Sequence, residues 1–241
     1  MMRKASEFYN KPICAVDDEI GKLTEFYIDE RSWQIRYLVV NLGSGFKSKE
    51  VLISPVAFAS FDGERLKIQL TKDEIHKCPV NSSAKPVYIQ QKENAELLYS
   101  TTQSFGGFDS RFETVVFPPS PSINSREDEK GENPHFRSSR EISGYKILTE
   151  DGVEGKVEDL LFDDRLWNIR FLLIRPDTGS DQETRLLIAF WVDHIEWEIE
   201  TIYLGCRGDY LMRCPKFDPS KHVNISYEDF LDHYNMVSKN M

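Results

Sequence analysis

The chain has 241 residues, enough for one large or two small domains. Its 40 acidic and 30 basic side chains give a formal net charge of −10, which weighs against nucleic acid as a partner, because phosphate contacts need clustered Lys and Arg. There is no apolar run of about 18 residues to cross a bilayer and no apolar stretch behind the basic start MMRKASEF to make it a secretory signal; the four cysteines (Cys14, Cys78, Cys206, Cys214) form no C-x-x-C pair, and a reduced cytoplasmic protein is expected.

In chain order, the first elements are β. Residues 21–29, GKLTEFYID, and 33–40, WQIRYLVV, are rich in β-branched and aromatic side chains. The polar Glu30-Arg31-Ser32 separates them, which predicts a hairpin. The second strand is apolar at nearly every position after Arg36, as in a strand covered on both faces. VLISPVAF and RLKIQL are further short strands, with Pro55 marking a strand end. TKDEIHKC reads as a helical turn with Thr71 as N-cap and an acidic first turn, stopped by Pro79. A short helix is predicted in YIQQKENAELLYS, which ends at Ser100.

From there the composition changes. Residues 118–140 read PPSPSINSREDEKGENPHFRSSR, which cannot bury enough surface to offset the entropy of ordering. Residues 101–139 are therefore read as a flexible linker, extended near its prolines. Its first part, FGGFDSRFETVVFPP, is too apolar for a pure spacer, and Phe108 and Phe112 are candidate docking aromatics.

After the linker the chain repeats itself. Residues 21–40, GKLTEFYIDERSWQIRYLVV, align without a gap to 155–174, GKVEDLLFDDRLWNIRFLLI, and eight of twenty positions are identical. VLISP at 51–55 is matched with LLIAF at 186–190, and FDGERLKIQLTKDEIHKCP at 61–79 with WEIETIYLGCRGDYLMRCP at 197–215. A second short helix is predicted in ISYEDFLDHYN, with Ser226 as N-cap and Phe230 and Tyr234 as candidate docking aromatics. The expected organisation is a first domain over 1–100, a linker over 101–139 and a second domain over 140–241.

The ordered motifs resemble the PRC-barrel family. They are Gly21-Lys22, Asp29-Glu30, Trp33-x-Ile35-Arg36-Tyr37-Leu38-Val39-Val40 and Val51-Leu52-Ile53-Ser54-Pro55. In the second copy they are Gly155-Lys156, Asp163-Asp164, Trp167-x-Ile169-Arg170-Phe171-Leu172 and Leu186-Leu187-Ile188, with Ala189-Phe190 in place of Ser-Pro. The resemblance implies a mainly β fold of two homologous small β-barrels, each followed by a short α-helix and joined by the flexible linker. The chain is most similar to the stand-alone bacterial tandem type. The family includes the cytoplasmic domain of the photosynthetic reaction-centre H subunit and a domain of a ribosome maturation factor. It has no shared catalytic residues, so none carries over.

The residues that could carry function admit two readings each. The repeated acid–arginine cluster, Asp29, Glu30, Arg31, Arg36 and Asp163, Asp164, Arg165, Arg170, reads as a charged binding face. The reading favoured is turn chemistry, with each Asp bonding its own backbone and each strand Arg pairing to an acid such as Glu25 or Asp159. Trp33 and Trp167 could stack on a ligand, or fill a barrel or pack a helix. WVDHIEWE invites a catalytic reading of His194, but no nucleophile stands at motif spacing and strand alternation explains it. No histidine pair has metal-ligand spacing and no glycine run forms a phosphate loop, so neither metal nor cofactor is expected.

The sequence thus favours a non-catalytic interaction or scaffold module with a protein partner. Peripheral association with the inner membrane face, packing of one copy on the other, and homo-oligomers all remain open. Two alternatives stand beside it: an accessory of a membrane electron-transfer complex, like the H subunit, and a ribosome-associated maturation factor.

Overall fold

The computed structural model describes residues 1–43, 49–81, 136–177 and 183–219. Both predicted copy-closing helices, most of the 101–139 segment, and Phe108, Phe112, Phe230 and Tyr234 lie outside these described residues. The fold is mainly β. The first half contains β1 (Met2–Lys4), β2 (Pro12–Cys14), β3 (Glu19–Asp29), β4 (Gln34–Asn41), β5 (Glu50–Ile53), β6 (Phe58–Phe61), β7 (Leu66–Ile68) and α1 (Lys72–Lys77). The second runs β8 (Phe136–Ser138), α2 (Ser139–Ile142), β9 (Lys146–Leu148), β10 (Glu154–Asp163), β11 (Asn168–Pro176), β12 (Arg185–Ile188), β13 (Val192–Glu196), β14 (Thr201–Leu204) and α3 (Gly208–Arg213).

Each half pairs its strands the same way. β3 and β4 form the predicted hairpin, β5 adds to β4, β2 adds to the other side of β3, and β7 joins β2 in parallel. β10, β11, β12, β9 and β14 repeat this pattern. The two long hairpins share their irregularities. Bulges lie at Leu23/Glu25 and Tyr27/Ile28, and again at Val157/Asp159 and Leu161/Phe162. A bulge raises local twist and bends the strand, which wraps each hairpin over its own core.

Local chemistry explains the boundaries. Thr71 and Glu74 form a capping box at α1: Glu74 N donates to Thr71 Oγ1 at 3.3 Å, and Thr71 N to Glu74 Oε2 at 2.8 Å. Pro55 opens a 3₁₀ turn, Pro55–Ala57, behind Ser54, whose hydroxyl accepts from Val56 N. The run Leu38-Val39-Val40 is buried throughout, as its continuous apolar pattern predicts.

The pairing corrects one detail of the sequence alignment. β5 lies on β4 with Val40 opposite Val51, and β12 lies on β11 with Ile174 opposite Arg185. Val51 is therefore equivalent to Arg185, not to Leu186, and the spacing of 134 positions holds through Ser54-Pro55 and Ile188-Ala189. Arg185 sits buried in a strand position that is apolar in the first half. Its guanidinium donates to the Met212 and Cys214 carbonyls at 2.7 and 3.0 Å, at the end of α3.

Where two separate barrels are expected, the described strands run as one open sheet, in the path β13-β14-β9-β10-β11-β4-β3-β2-β7-β6. The link is at the hairpin turns, where Gln34 of β4 is paired with Asn168 of β11. β1 pairs with β10 of the second half, and β8 pairs with β3 of the first. The registers match: Met2, Arg3 and Lys4 face Asp163, Phe162 and Leu161, while Phe136, Arg137 and Ser138 face Asp29, Ile28 and Tyr27. Residues 136–138, placed in the linker by composition, are thus a strand on the first half.

Candidate interaction site

The sequence-predicted cluster is brought together at the two hairpin turns, where the halves meet. Each turn starts from an aspartate that organises its own backbone. Asp29 Oδ1 accepts from Arg31 N at 3.1 Å and Ser32 N at 3.3 Å, and Asp163 Oδ1 accepts from Arg165 N at 2.9 Å. The aspartate carbonyls then accept from Trp33 N and Trp167 N, both at 2.7 Å. Trp33 and Trp167 take φ values of 56° and 53°, a left-handed conformation that a bulky residue holds only when its surroundings enforce it.

What enforces it is the opposite half. Ile35 N donates to Trp167 O at 2.7 Å, and Ile169 N donates to Trp33 O at 2.8 Å. Gln34 Nε2 reaches the Leu166 and Trp167 carbonyls, and Asn168 Nδ2 reaches the Ser32 carbonyl at 2.9 Å. The tryptophans therefore stand within the turns, not as the first residues of β4 and β11. Both are buried, at 8% and 7% exposure. Trp167 packs on Phe162 of its own half and crosses to Phe26 and Phe58 of the other, with ring centroids at 5.4, 6.1 and 4.9 Å.

The remaining cluster residues divide. Glu30 accepts from Arg137 Nε at 3.0 Å and Asp164 accepts from Arg3 Nε at 3.4 Å, so each binds the strand arriving from the other half. Arg36 pairs with Asp29 at 3.1 Å instead of with Glu25, and Arg170 is exposed with no ion pair among the described residues. Arg31 and Arg165 are exposed at the turn tips. Glu25 and Asp159, expected to serve the strand arginines, instead receive hydroxyls from the crossing segments. Ser138 donates to Glu25, and Ser6 donates to Asp159 at 2.5 Å.

Sequence reasoning missed the crossing segments themselves. Arg3, Ser6, Arg137, Ser138 and Ser139 carry much of the polar contact between halves. Ser139 Oγ accepts from Phe26 N at 2.9 Å and from the Tyr9 hydroxyl at 2.7 Å. The available signal was the spacing of 134: Arg3 and Arg137 continue the repeat beyond the part that aligns by identity. The aromatic core beneath contains Phe8, Phe26 and Phe162, with centroids 5.2 to 5.8 Å apart.

Elsewhere, burial pushes the Cys78 thiol up to about 11 and the Cys206 and Cys214 thiols up to about 12. His194 lies on exposed β13, stacked on Tyr203 at 4.5 Å with its Nδ1 2.8 Å from Asp193. A cleft of about 410 Å³ beside β1 is lined in part by Lys4, Glu158, Thr184 and Phe217. Its Glu158 is engaged by Arg175 and by the Thr184 hydroxyl. Among the described residues no group of three His, Cys, Asp or Glu is placed to hold a metal ion, and no helix is long and apolar enough to cross a membrane.

Compared with known proteins, residues 1–75 match the family model for the PRC-barrel domain. No curated protein matches the chain.

Proposed function

We propose that this chain, whose residues 1–75 are a PRC-barrel domain, is a non-catalytic scaffold that holds a protein partner on two coupled copies of that domain. In this reading residues from 136 onward form the second copy, and the two act as an intramolecular pseudo-dimer tethered by the segment between them. The observation that supports it most is the reciprocal crossing: β1 pairs with β10, β8 pairs with β3, and the two hairpin turns exchange backbone hydrogen bonds. Two weak sites held at a fixed spacing bind a partner more tightly than either alone when both can be engaged. The cluster at the turns is largely consumed in joining the halves. The partner-binding surface is then assigned to the arginines that remain exposed, Arg31 and Arg165 at the turn tips and Arg170 on β11.

The test is an affinity capture from the native host, with membrane and soluble fractions kept apart, followed by binding of the purified partner. Wild type is compared with W33A/W167A, which loosens the junction. A partner bound directly by wild type and at least tenfold more weakly by the variant is expected. Absence of a direct partner in both fractions would overturn the scaffold reading. A partner confined to the membrane fraction would favour the electron-transfer accessory.

A further inference from the structure

The two sides of the junction differ in shape chemistry. Across the spacing of 134, Phe8 and Phe26 of the first half stand where the second has Ile142 and Leu160. The β6–β7 and β13–β14 ladders likewise make Phe58 and Phe61 equivalent to Val192 and Ile195, so that Phe61 matches Ile195 and not Trp197 as the sequence alignment had it. At the position where the second half has Phe162, the first has Ile28. Phe8, Phe26 and Phe162 consequently gather on one side with Trp167, while Ile28, Ile142 and Leu160 are fully buried without an aromatic at those positions. Close-packed interiors respond to changes of even one methylene, so two first halves or two second halves would misfit in aromatic volume. The Arg3 and Arg137 ion pairs do not discriminate, because each meets an acid of the other half, but Ser139, which takes the Tyr9 hydroxyl and Phe26 N, stands where the first half has Ala5 and so also favours unlike halves.

We propose that this junction is written for unlike halves, and that the mate can come from a second copy of this chain, giving a dimer with exchanged halves. This rests on the pseudo-dimer reading above. Residues 82–135, which number 54, separate Asn81 from Phe136 and span up to about 180 Å when extended. The tether therefore does not force pairing within one chain. The closed monomer and the exchanged dimer bury the same contacts and differ only in how the ends are tethered. A tether of 54 residues limits the effective concentration of one half about the other to about a millimolar at most, so the monomer dominates in dilute protein and the dimer grows when folding occurs at high concentration. Interconversion requires withdrawing both crossing strands and the Trp167 ring and breaking the turn-to-turn backbone bonds, which makes either form persist after dilution.

Gln34 and Asn168 provide the test, because they are equivalent positions that face each other across the junction. The flanking hydrogen bonds, Ile35 N to Trp167 O and Ile169 N to Trp33 O, mark them as a close antiparallel pair. Cα atoms of such a pair lie about 4.5 Å apart, within disulfide range. The full chain carrying Q34C is unfolded together with the full chain carrying N168C, refolded from micromolar to millimolar concentration, oxidised and mapped by peptide mass spectrometry. The expected product joins position 34 of one chain to position 168 of the other, in a fraction that rises with concentration. Predominant links between two 34 positions or two 168 positions would overturn the unlike-halves rule. The double variant Q34C/N168C is the control. If it closes within one chain while no cross-chain product forms at any concentration, the exchange is refuted and the pseudo-dimer stands. If it does not close, the pseudo-dimer reading itself falls.

Discussion

At the scale of single residues, the position shared by Glu25 and Asp159 is the most informative. It follows a bulge in both halves and takes a hydroxyl from a crossing segment in both. Burial is the largest influence on Glu25 and raises its carboxyl above the ordinary range; the Ser138 hydroxyl lowers it, and nearby Glu50 and Glu141 raise it. A carboxyl raised on folding holds its proton more tightly in the native state than in the unfolded chain. Its stabilising effect is thus present at low pH and is lost as pH rises from the unfolded value through the folded one. E25Q keeps a partner for Ser138 and removes the half-buried charge. It should be more stable than wild type at pH 7, with the gap closing toward pH 4; identical urea midpoints at every pH would refute this. Cys206 and Cys214 give a second residue-scale prediction. With thiols at about 12 and side chains 4% and 3% exposed, both should resist iodoacetamide in the folded protein at pH 8 and react fully in urea. Rapid labelling of either in native buffer would contradict the packing around α3.

At the scale of elements, the repeated Gly-Lys at the start of each long hairpin has a packing cause. A Cβ on Gly21 would lie 2.3 Å from the Asn41 carbonyl oxygen, and one on Gly155 would lie 2.7 Å from that of Arg175. The neighbours are backbone and cannot swing away. G21A and G155A should each cost about 1–3 kcal/mol, the range for overpacking, read from chemical denaturation. T71A, which removes the α1 capping box, should cost about 1 kcal/mol. These features were readable in the sequence because they depend on local pattern: the 20-residue hairpin repeat, the Thr71 cap, the Pro55 break. The crossing strands were not. β1 and β8 have three residues each, too few for a period of two to show, and their partners lie more than 100 positions away. The alignment slip at β12 has a similar origin. Arg185 replaces an apolar residue in a core strand, so hydrophobic matching moved the register by one. Only the ladder to β11 and the carbonyls of Met212 and Cys214 show that a buried arginine belongs there.

At the scale of the whole molecule, the question is whether the halves unfold together. Each half completes the other: its hairpin lacks one flanking strand until the partner's crossing segment arrives, and Trp167 fills space beside Phe26 and Phe58 of the opposite half. Removing either half leaves strand edges of the other unpaired, and removing the second also empties the space Trp167 fills beside Phe26 and Phe58, so partial unfolding forfeits stability on both sides. Wild type should therefore unfold in one calorimetric transition whose van't Hoff and calorimetric enthalpies agree. Truncating a buried Trp to Ala costs about 3–5 kcal/mol, and in W33A/W167A that loss falls on the junction while most of each half's own ladder is kept. The double variant should show two separable transitions, or one broad transition whose van't Hoff enthalpy drops well below the calorimetric value. Proteolytic cutting between residues 82 and 135 should give fragments that co-elute for wild type and separate for the variant. Two independent transitions in the unmodified protein, or wild-type fragments that separate on dilution, would mean that the crossing strands do not couple the halves, and the protein would then have to be treated as two modules on a string.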